Sequence, residues 1–400
     1  MTISTDNSSS SDPSSKFNDE PLPLETLKPW ISSQEFVEWI QKGDEKQAAL
    51  EAEMKENEVY NAANLFGSTL DEEFEQKGNR IQQWTSSAIH IDGIGGFDHH
   101  HKEDTRTIGG ESSSSAAAAA ATSNDTHVVQ LEFFLSESYQ GFGDTLWSSA
   151  RYVANVLANP EQCQEILAPY LERRQERGNK GEDYSENRHP LLGTSVLEIG
   201  AGAGVPSWSA MHCGARVVCT DLADTNRIRS IAECACRNYR KMLEQEEQNN
   251  SSGGSDDDSE RLHFAEQARA CPHDWGSDVQ PVLHALNHPS NKKEEATSQP
   301  ASDEMELFDV VLAADCCYMP WTHDEMLDSI YKVMSPIGVA LICFALHDNT
   351  DDNDVWKIVD RAKNRGFVVE TLPSTQLTPP TTHMEAKQGL VHTVRLSKPQ

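Results

Sequence analysis

The run Val196-Leu197-Glu198-Ile199-Gly200-Ala201-Gly202-Ala203-Gly204-Val205-Pro206 is followed, after room for one short helix, by Val217-Val218-Cys219-Thr220-Asp221. It reads as a strand, a glycine-rich turn, a helix and a second strand ending in an acid. Glycines let a backbone approach a ligand closely, and a carboxylate at the end of the next strand can accept both hydroxyls of a ribose; together they make the front half of a nucleotide-type site on a parallel sheet. A dinucleotide fingerprint requires G-x-G-x-x-G, but the third position is Val205 counted from Gly200 and Ser207 counted from Gly202. More than ninety residues on, Asp315 and Tyr318 follow a strand that ends at Ala314. Open α/β sheets hold their ligands beyond the carboxyl ends of their strands, so this pair belongs at the same end of the molecule as the glycines and Asp221.

Those positions converge only if the chain alternates strand and helix, and its patterning predicts that it does. Val128 to Leu135 reads as a strand, Thr145 to Leu157 as a helix with Leu146, Tyr152, Val153 and Leu157 roughly on one face, and Glu161 to about Arg177 as a second helix. After Asp221, Ile228, Ile231, Ala235 and Met242 mark an amphipathic helix. Leu307–Ala314 and Val339–Leu346 are apolar enough for strands buried on both faces. Between them Thr322–Met334 reads as a helix opened by a Thr322/Glu325 capping box and stopped by Pro336 and Gly338. Val355–Arg365 is a further helix, and Phe367–Leu372 with Leu390–Leu396 an antiparallel pair closing the sheet. The order predicts an α/β fold with a doubly wound sheet and helices on both faces.

Residues 1–125 are expected to be largely disordered or low in complexity, with one helix near 33–60 anchored by Trp30 and Phe36, its thin apolar stripe packing on the main domain or a partner. Gly93 to Gly96, Ser112 to Ser115 and Ala116 to Ala121 mark a linker or insertion over 85–125, and the His99-His100-His101 triplet within it reads as low complexity rather than a ligand set. Residues 126–400 form the predicted catalytic domain, with polar inserts near 248–260 and 287–304.

The E-x-G-x-G-x-G pattern resembles motif I of the class I S-adenosylmethionine methyltransferases, whose turn wraps an amino acid and a ribose. Asp315-Cys316-Cys317-Tyr318, together with Leu146-Trp147-Ser148-Ser149-Ala150, resembles the seven-beta-strand methyltransferase family 16, which includes many protein lysine methyltransferases. Asp221-Leu222-Ala223-Asp224 and Asn238 look most like its nicotinamide N-methyltransferase-like branch, which includes protein N-terminal and lysine methyltransferases of a translation elongation factor. Pro272-His273-Asp274-Trp275-Gly276 is similar to the family's D-W-G element.

The resemblance implies a Rossmann-like seven-stranded sheet and S-adenosylmethionine as cofactor. It places the cofactor against Gly200, Ala201, Gly202 and Gly204, with Glu198 serving the methionine ammonium directly or through water, and Asp221 and Leu222 at the ribose. Asp274 and Trp275 would border the adenine, with Ala314 and Trp147 completing the cofactor site. Methyl transfer from a sulfonium is an in-line displacement, so such an enzyme mainly positions a neutral amine about 3 Å from the methyl and excludes water. Neither a metal nor a covalent nucleophile is needed. Asp315 and Tyr318 are the expected catalytic pair: Asp315 holds the amine, while Tyr318 and Trp147 wall the channel and offer cation-π contact. A carboxylate raises the pKa of a bound amine, so Asp315 suits positioning better than base catalysis.

Composition narrows the partners. Lys plus Arg number 33 against 64 Asp plus Glu, a formal charge of -31, which repels nucleic-acid phosphates and favours a basic protein or a cationic small substrate. The 9 cysteines fall mostly in apolar runs without a C-x-x-C pair, the usage of a reducing compartment. Cys234 and Cys236, two apart on a helix, do not face the same way and are no metal pair. No apolar run reaches the roughly 18 residues of a membrane span. The expected protein is a monomeric, cytoplasmic N-methyltransferase, with the nucleus as the alternative location, acting on a lysine or N-terminal amine of a protein such as an elongation factor, without nucleic acid or membrane. A small-molecule amine methyltransferase of the nicotinamide type and a non-catalytic interaction module are the alternatives.

Overall fold

Val310 and Leu312 belong to one layer of the core, Val311 and Ala313 to the other. The same alternation runs through Val339, Leu341 and Cys343 against Ala340, Ile342 and Phe344, and through Val196 against Leu197. Strands apolar at every position have both faces to bury, and period-two geometry sends successive side chains into opposite layers. The computed structural model describes residues 21–56, 80–85, 129–135, 145–177, 188–249, 256–288, 305–347, 351–377 and 386–400. The His99–His101 triplet, the alanine run and most of the two expected inserts lie outside them.

The chain opens with Leu24–Leu27 (α1), a 3-10 turn over Lys28–Trp30 and Gln34–Glu56 (α2). Arg80–Thr85 (β1) pairs antiparallel with Gln130–Leu135 (β2). Ser148–Ala158 (α3), Pro160–Ile166 (α4) and Ala168–Arg177 (α5) follow. Strand and helix then alternate through Ser195–Glu198 (β3), Val205–His212 (α6), Arg216–Asp221 (β4), Thr225–Asn249 (α7), Asp256–Ala265 (α8), Arg269–Pro272 (β5), Gln280–Asn287 (α9) and Phe308–Ala314 (β6). His323–Val333 (α10), Met334–Phe344 (β7), Asp352–Asn364 (α11), Val368–Gln376 (β8) and Leu390–Ser397 (β9) complete the domain.

The 7-stranded sheet has the order β5-β4-β3-β6-β7-β9-β8. β5 through β7 are parallel neighbours, and β9 runs antiparallel between β7 and β8. This is the expected doubly wound, Rossmann-like sheet with its antiparallel closing pair. The chain winds outward from β3 to β5 and then resumes at β6 on the other side of β3, so the strand order reverses there and opens a crevice at the carboxyl ends of β3, β4 and β6.

Three local expectations are corrected. The helix read over Glu161–Arg177 is two helices, α4 and α5, because Leu167 leaves helical geometry at φ -96, ψ 3 ahead of Pro169, which has no N–H to continue the ladder. No capping box opens α10: the Thr322 hydroxyl donates to the Met319 carbonyl at 2.9 Å, within the 3-10 turn Pro320–Thr322 that already winds into the helix. Residues 256–260, read as part of an acidic insertion, form the start of α8.

The amino-terminal segment lies on the sheet edge. Ile31 bridges Ala270 of β5 in parallel and the Ser32 N–H donates to the Ala270 carbonyl at 3.0 Å, continuing the sheet by one residue pair. Leu27, Trp30, Ile31, Phe36, Val37 and Ile40 are buried there, and Asp44 pairs with Arg229 of α7 at 2.9 Å. Strand β2 is pinned to α7 by Asn238, which accepts the Glu132 N–H at 3.0 Å and donates to the Glu132 carbonyl at 2.7 Å. Among the described residues, no helix is long and apolar enough to cross a membrane.

Candidate functional site

Each strand around the reversal ends in a turn that delivers a functional group. Past β3 the chain needs three left-handed residues within five positions, and Gly200, Gly202 and Gly204 supply them at φ 62, 56 and 68. They are not equivalent. A Cβ on Gly200 would come within 2.8 Å of the Trp275 ring and 2.9 Å of Cys316 Sγ, and one on Gly204 within 2.9 Å of Trp208. A Cβ on Gly202 would meet nothing within 4 Å, so at Gly202 the turn opens onto free space.

Asp221, ending β4 and 4% exposed, faces that turn. Its Oδ2 accepts the Gly202 N–H at 2.7 Å and its Oδ1 the Leu222 N–H at 2.8 Å, with the Arg227 guanidinium at 3.3 Å. The carboxylate therefore ties β3's turn to β4's end. Asp224 caps α7 by accepting the Arg227 N–H at 2.9 Å, which sets where Arg227 starts its reach.

Asp315, following β6, is the one described non-glycine residue with a left-handed backbone, φ 61, and is 7% exposed. Its N–H donates to the Cys343 carbonyl at 2.7 Å. Oδ1 accepts the Ala345 N–H at 3.3 Å and lies 3.1 Å from His347 Nε2, while Oδ2 is buried without a hydrogen-bond partner. A buried carboxylate oxygen without a donor costs free energy of about 1–3 kcal/mol, and the left-handed backbone adds to the cost of holding Asp315 in this place.

Between these ends lies a cavity of about 810 Å³. Its lining includes Gly200 to Ala203, Asp221, Leu222, Asp274 and Trp275 together with Trp147, Ala314, Asp315, Tyr318 and His347. Asp274, itself exposed, accepts the Ala223 N–H at 3.3 Å and so joins the β5 loop to the β4 loop. Trp147 precedes α3 and packs edge-on against His347, ring centroids 4.7 Å apart. Burial pushes the Tyr318 phenol up to about 12, so it stays a neutral hydroxyl. At the mouth Leu222 and Trp321 are 57% and 71% exposed, large apolar side chains facing water. No cluster of metal-ligating side chains occurs among the described residues, and Cys234 and Cys236 are both buried without being brought together as ligands.

The structure gathers twelve of the thirteen expected site residues around this cavity or in its turn. Glu198 is the exception: it is 1% exposed and is not among the residues lining the cavity. Its Oε2 accepts the Ser207 N–H at 2.9 Å and the Ser207 hydroxyl at 2.5 Å, inside the first turn of α6. Burial, with Asp221 nearby, raises its pKa to about 8 against the opposing Ser207 bonds, so its protonated form is favoured near neutrality. Gly204 sits in the turn yet packs on Trp208 rather than facing the cavity.

Sequence reasoning missed His347, Arg227, Met319, Trp321 and Glu325, all of which line the cavity. His347 had a readable signal, since it stands just beyond a buried strand in the manner of Asp315. Arg227 and Glu325 sit on ordinary helix starts, where no local pattern separates a cavity residue from a solvated one.

No family model matches the chain. It is 26% identical over 201 residues to a curated protein of Gibberella zeae named protein N-terminal and lysine N-methyltransferase EFM7, matching 49% of this chain and 65% of that one. An Emericella nidulans protein of the same name is 27% identical over 197 residues, 48% of this chain and 64% of its own. The match thus spans less than two thirds of either relative. A solved structure of a TehB-like SAM-dependent methyltransferase from Corynebacterium glutamicum aligns at 18% identity with TM-score 0.30, over 60% of this chain and 100% of that one.

Proposed function

We propose that this chain transfers the methyl group of S-adenosylmethionine to a protein amine, a lysine side chain or an amino terminus. The observation that carries the reading is Asp315 Oδ2, a buried acceptor without a donor, in the same cavity as the open glycine turn and Asp221. The likeness to proteins named N-terminal and lysine N-methyltransferases supports it.

The residues present fit the cofactor. The turn at Gly202 has room for a ligand against its backbone, and each Asp221 oxygen, already holding one backbone N–H, has a further lone pair for a ribose hydroxyl in the place of the longer Arg227 contact. Trp275, whose ring lies close against Gly200, gives an aromatic wall for a base, with Asp274 beside it. Ala201, Leu222, Ala314 and Trp147 supply apolar surface between those polar anchors. Bound there, S-adenosylmethionine supplies an electrophilic methyl that a neutral amine takes by in-line displacement.

The chain's own part is positioning. Asp315 Oδ2 accepts an N–H of the incoming amine and thereby orients the nitrogen lone pair. Tyr318 and Trp147 narrow the approach and exclude water, and their rings tolerate the amine while it is still an ammonium. Proton loss precedes transfer and goes to solvent. A pyridine nitrogen has no N–H to offer Asp315, so the same orphan acceptor argues against a nicotinamide-type substrate. The acid excess suits a monomer working on a basic protein surface in the cytoplasm or nucleus, away from nucleic acid and membranes.

Titration with S-adenosylhomocysteine and incubation with labelled S-adenosylmethionine and a lysate lacking the enzyme test the reading. Binding that is weakened by Asp221→Ala, with label in protein, is expected. Absence of binding, or label confined to small molecules, overturns it.

A further inference from the structure

We propose that His347 is a positioning residue for methyl transfer: through Asp315 Oδ1 it fixes Oδ2 as the carboxylate oxygen presented to the substrate amine. The inference rests on the function proposed above and adds a residue to it.

A carboxylate that pivots about its last side-chain bond presents either oxygen. At Asp315 the two oxygens are made unequal by donors that both reach Oδ1, the Ala345 N–H at 3.3 Å and His347 Nε2 at 3.1 Å, while Oδ2 has none. Both donors lie just beyond β7, the strand next to β6 in the sheet, so adjacent strand ends set the group from one side. The Asp315 backbone is held as well, in left-handed geometry with its N–H on Cys343, which leaves the side chain little freedom except that pivot. The Ala345 bond is long and by itself a weak lock. The imidazole supplies the other half, and it packs on Trp147, whose ring meets it edge-on at 86°.

The arrangement also answers a difficulty of chemistry. A bare carboxylate beside an amine stabilises the ammonium, which cannot accept a methyl group. Hydrogen bonding from His347 to Oδ1 withdraws charge from the carboxylate while leaving Oδ2 able to accept one N–H. His347 need not touch the amine.

Two substitutions separate this role from simple packing. His347→Phe keeps a ring against Trp147 and removes the donor; His347→Gln restores an N–H at similar reach. The expected result is a fall in kcat of about 10-fold or more for His347→Phe, the scale of one charge-assisted hydrogen bond. Affinity for S-adenosylhomocysteine and thermal midpoint should stay near wild type, and His347→Gln should recover most of kcat. Crystal structures provide a readout free of activity: one Asp315 carboxylate orientation in wild type and a rotated or split one in His347→Phe. Unchanged kcat and an unchanged carboxylate in His347→Phe overturn the proposal, as does equal loss of kcat in both variants with weaker S-adenosylhomocysteine binding. A wild-type protein that labels no amine refutes the function above, and the carboxylate orientation still decides the role of His347.

Discussion

Asp221 joins two loops and faces the cavity at once, so its substitution should read out at the ligand rather than in the fold. Asp221→Asn keeps an acceptor for one of the two backbone N–H groups and removes the anion paired with Arg227. A loss of S-adenosylhomocysteine affinity of about 10- to 100-fold is expected by calorimetry, the range of one or two charge-assisted bonds. Glu198 gives a prediction of a different kind. Its folded-state pKa is raised from 4.5 to about 8, so the stability of its protonated form is full below about pH 4.5 and lost as pH rises through about 8. Glu198→Gln, which keeps the Ser207 contact without ionising, should melt above wild type near pH 8.5, with the gap closing near pH 5; a constant gap across that range would refute this. The place of Glu198 outside the cavity lining has a plain cause. It shares strand parity with Val196 and so points beneath α6, whereas Asp221, Ala314 and Asp315 stand at strand ends, where the chain turns toward the cavity.

Elements were legible in proportion to how much periodicity they could display. β6 and α10 have clear apolar patterns and stand within a residue of their expected limits, whereas β7 starts at Met334, five residues before the expected Val339, and takes in Pro336 and Gly338. β5 could not be read as a strand: it has four residues, beginning in Arg269 and ending in Pro272, and owes its place to β4 on one side and Ile31 on the other. β1 lay in a stretch read as unstructured and is defined by its partner β2. The cap of α10 yields a test. Thr322 bonds Met319 rather than an N–H of α10, so Thr322→Ala should cost no more than one neutral hydrogen bond, about 0.5–1.5 kcal/mol, and Glu325→Ala should not add the loss of a capping box, both read in a denaturant titration. Ile31→Asp puts a charge into a fully buried site on the β5 edge and should destabilise by about 3 kcal/mol or more, measured the same way; a neutral outcome would mean that the segment is not seated there.

For the whole molecule, charge and the cavity mouth act together. The net charge of -31 makes approach of a basic partner faster at low salt, and Trp321 offers a large apolar contact where that partner would arrive. If the proposed protein substrate is correct, Trp321→Ala should raise its KM several-fold, with S-adenosylhomocysteine affinity unchanged; an equal loss of both would assign Trp321 to the cofactor instead. All 9 cysteines are free and buried, and burial raises every one of their thiols above its ordinary range. Thiolate, not thiol, reacts with alkylating agents, so the native molecule is nearly silent to them. Each cysteine thereby becomes a clock for the opening of its own neighbourhood. Cys316, set against Gly200 beneath the turn, times the opening of the cavity floor, and a bound ligand should slow its alkylation while leaving that of Cys163, within α4, unchanged.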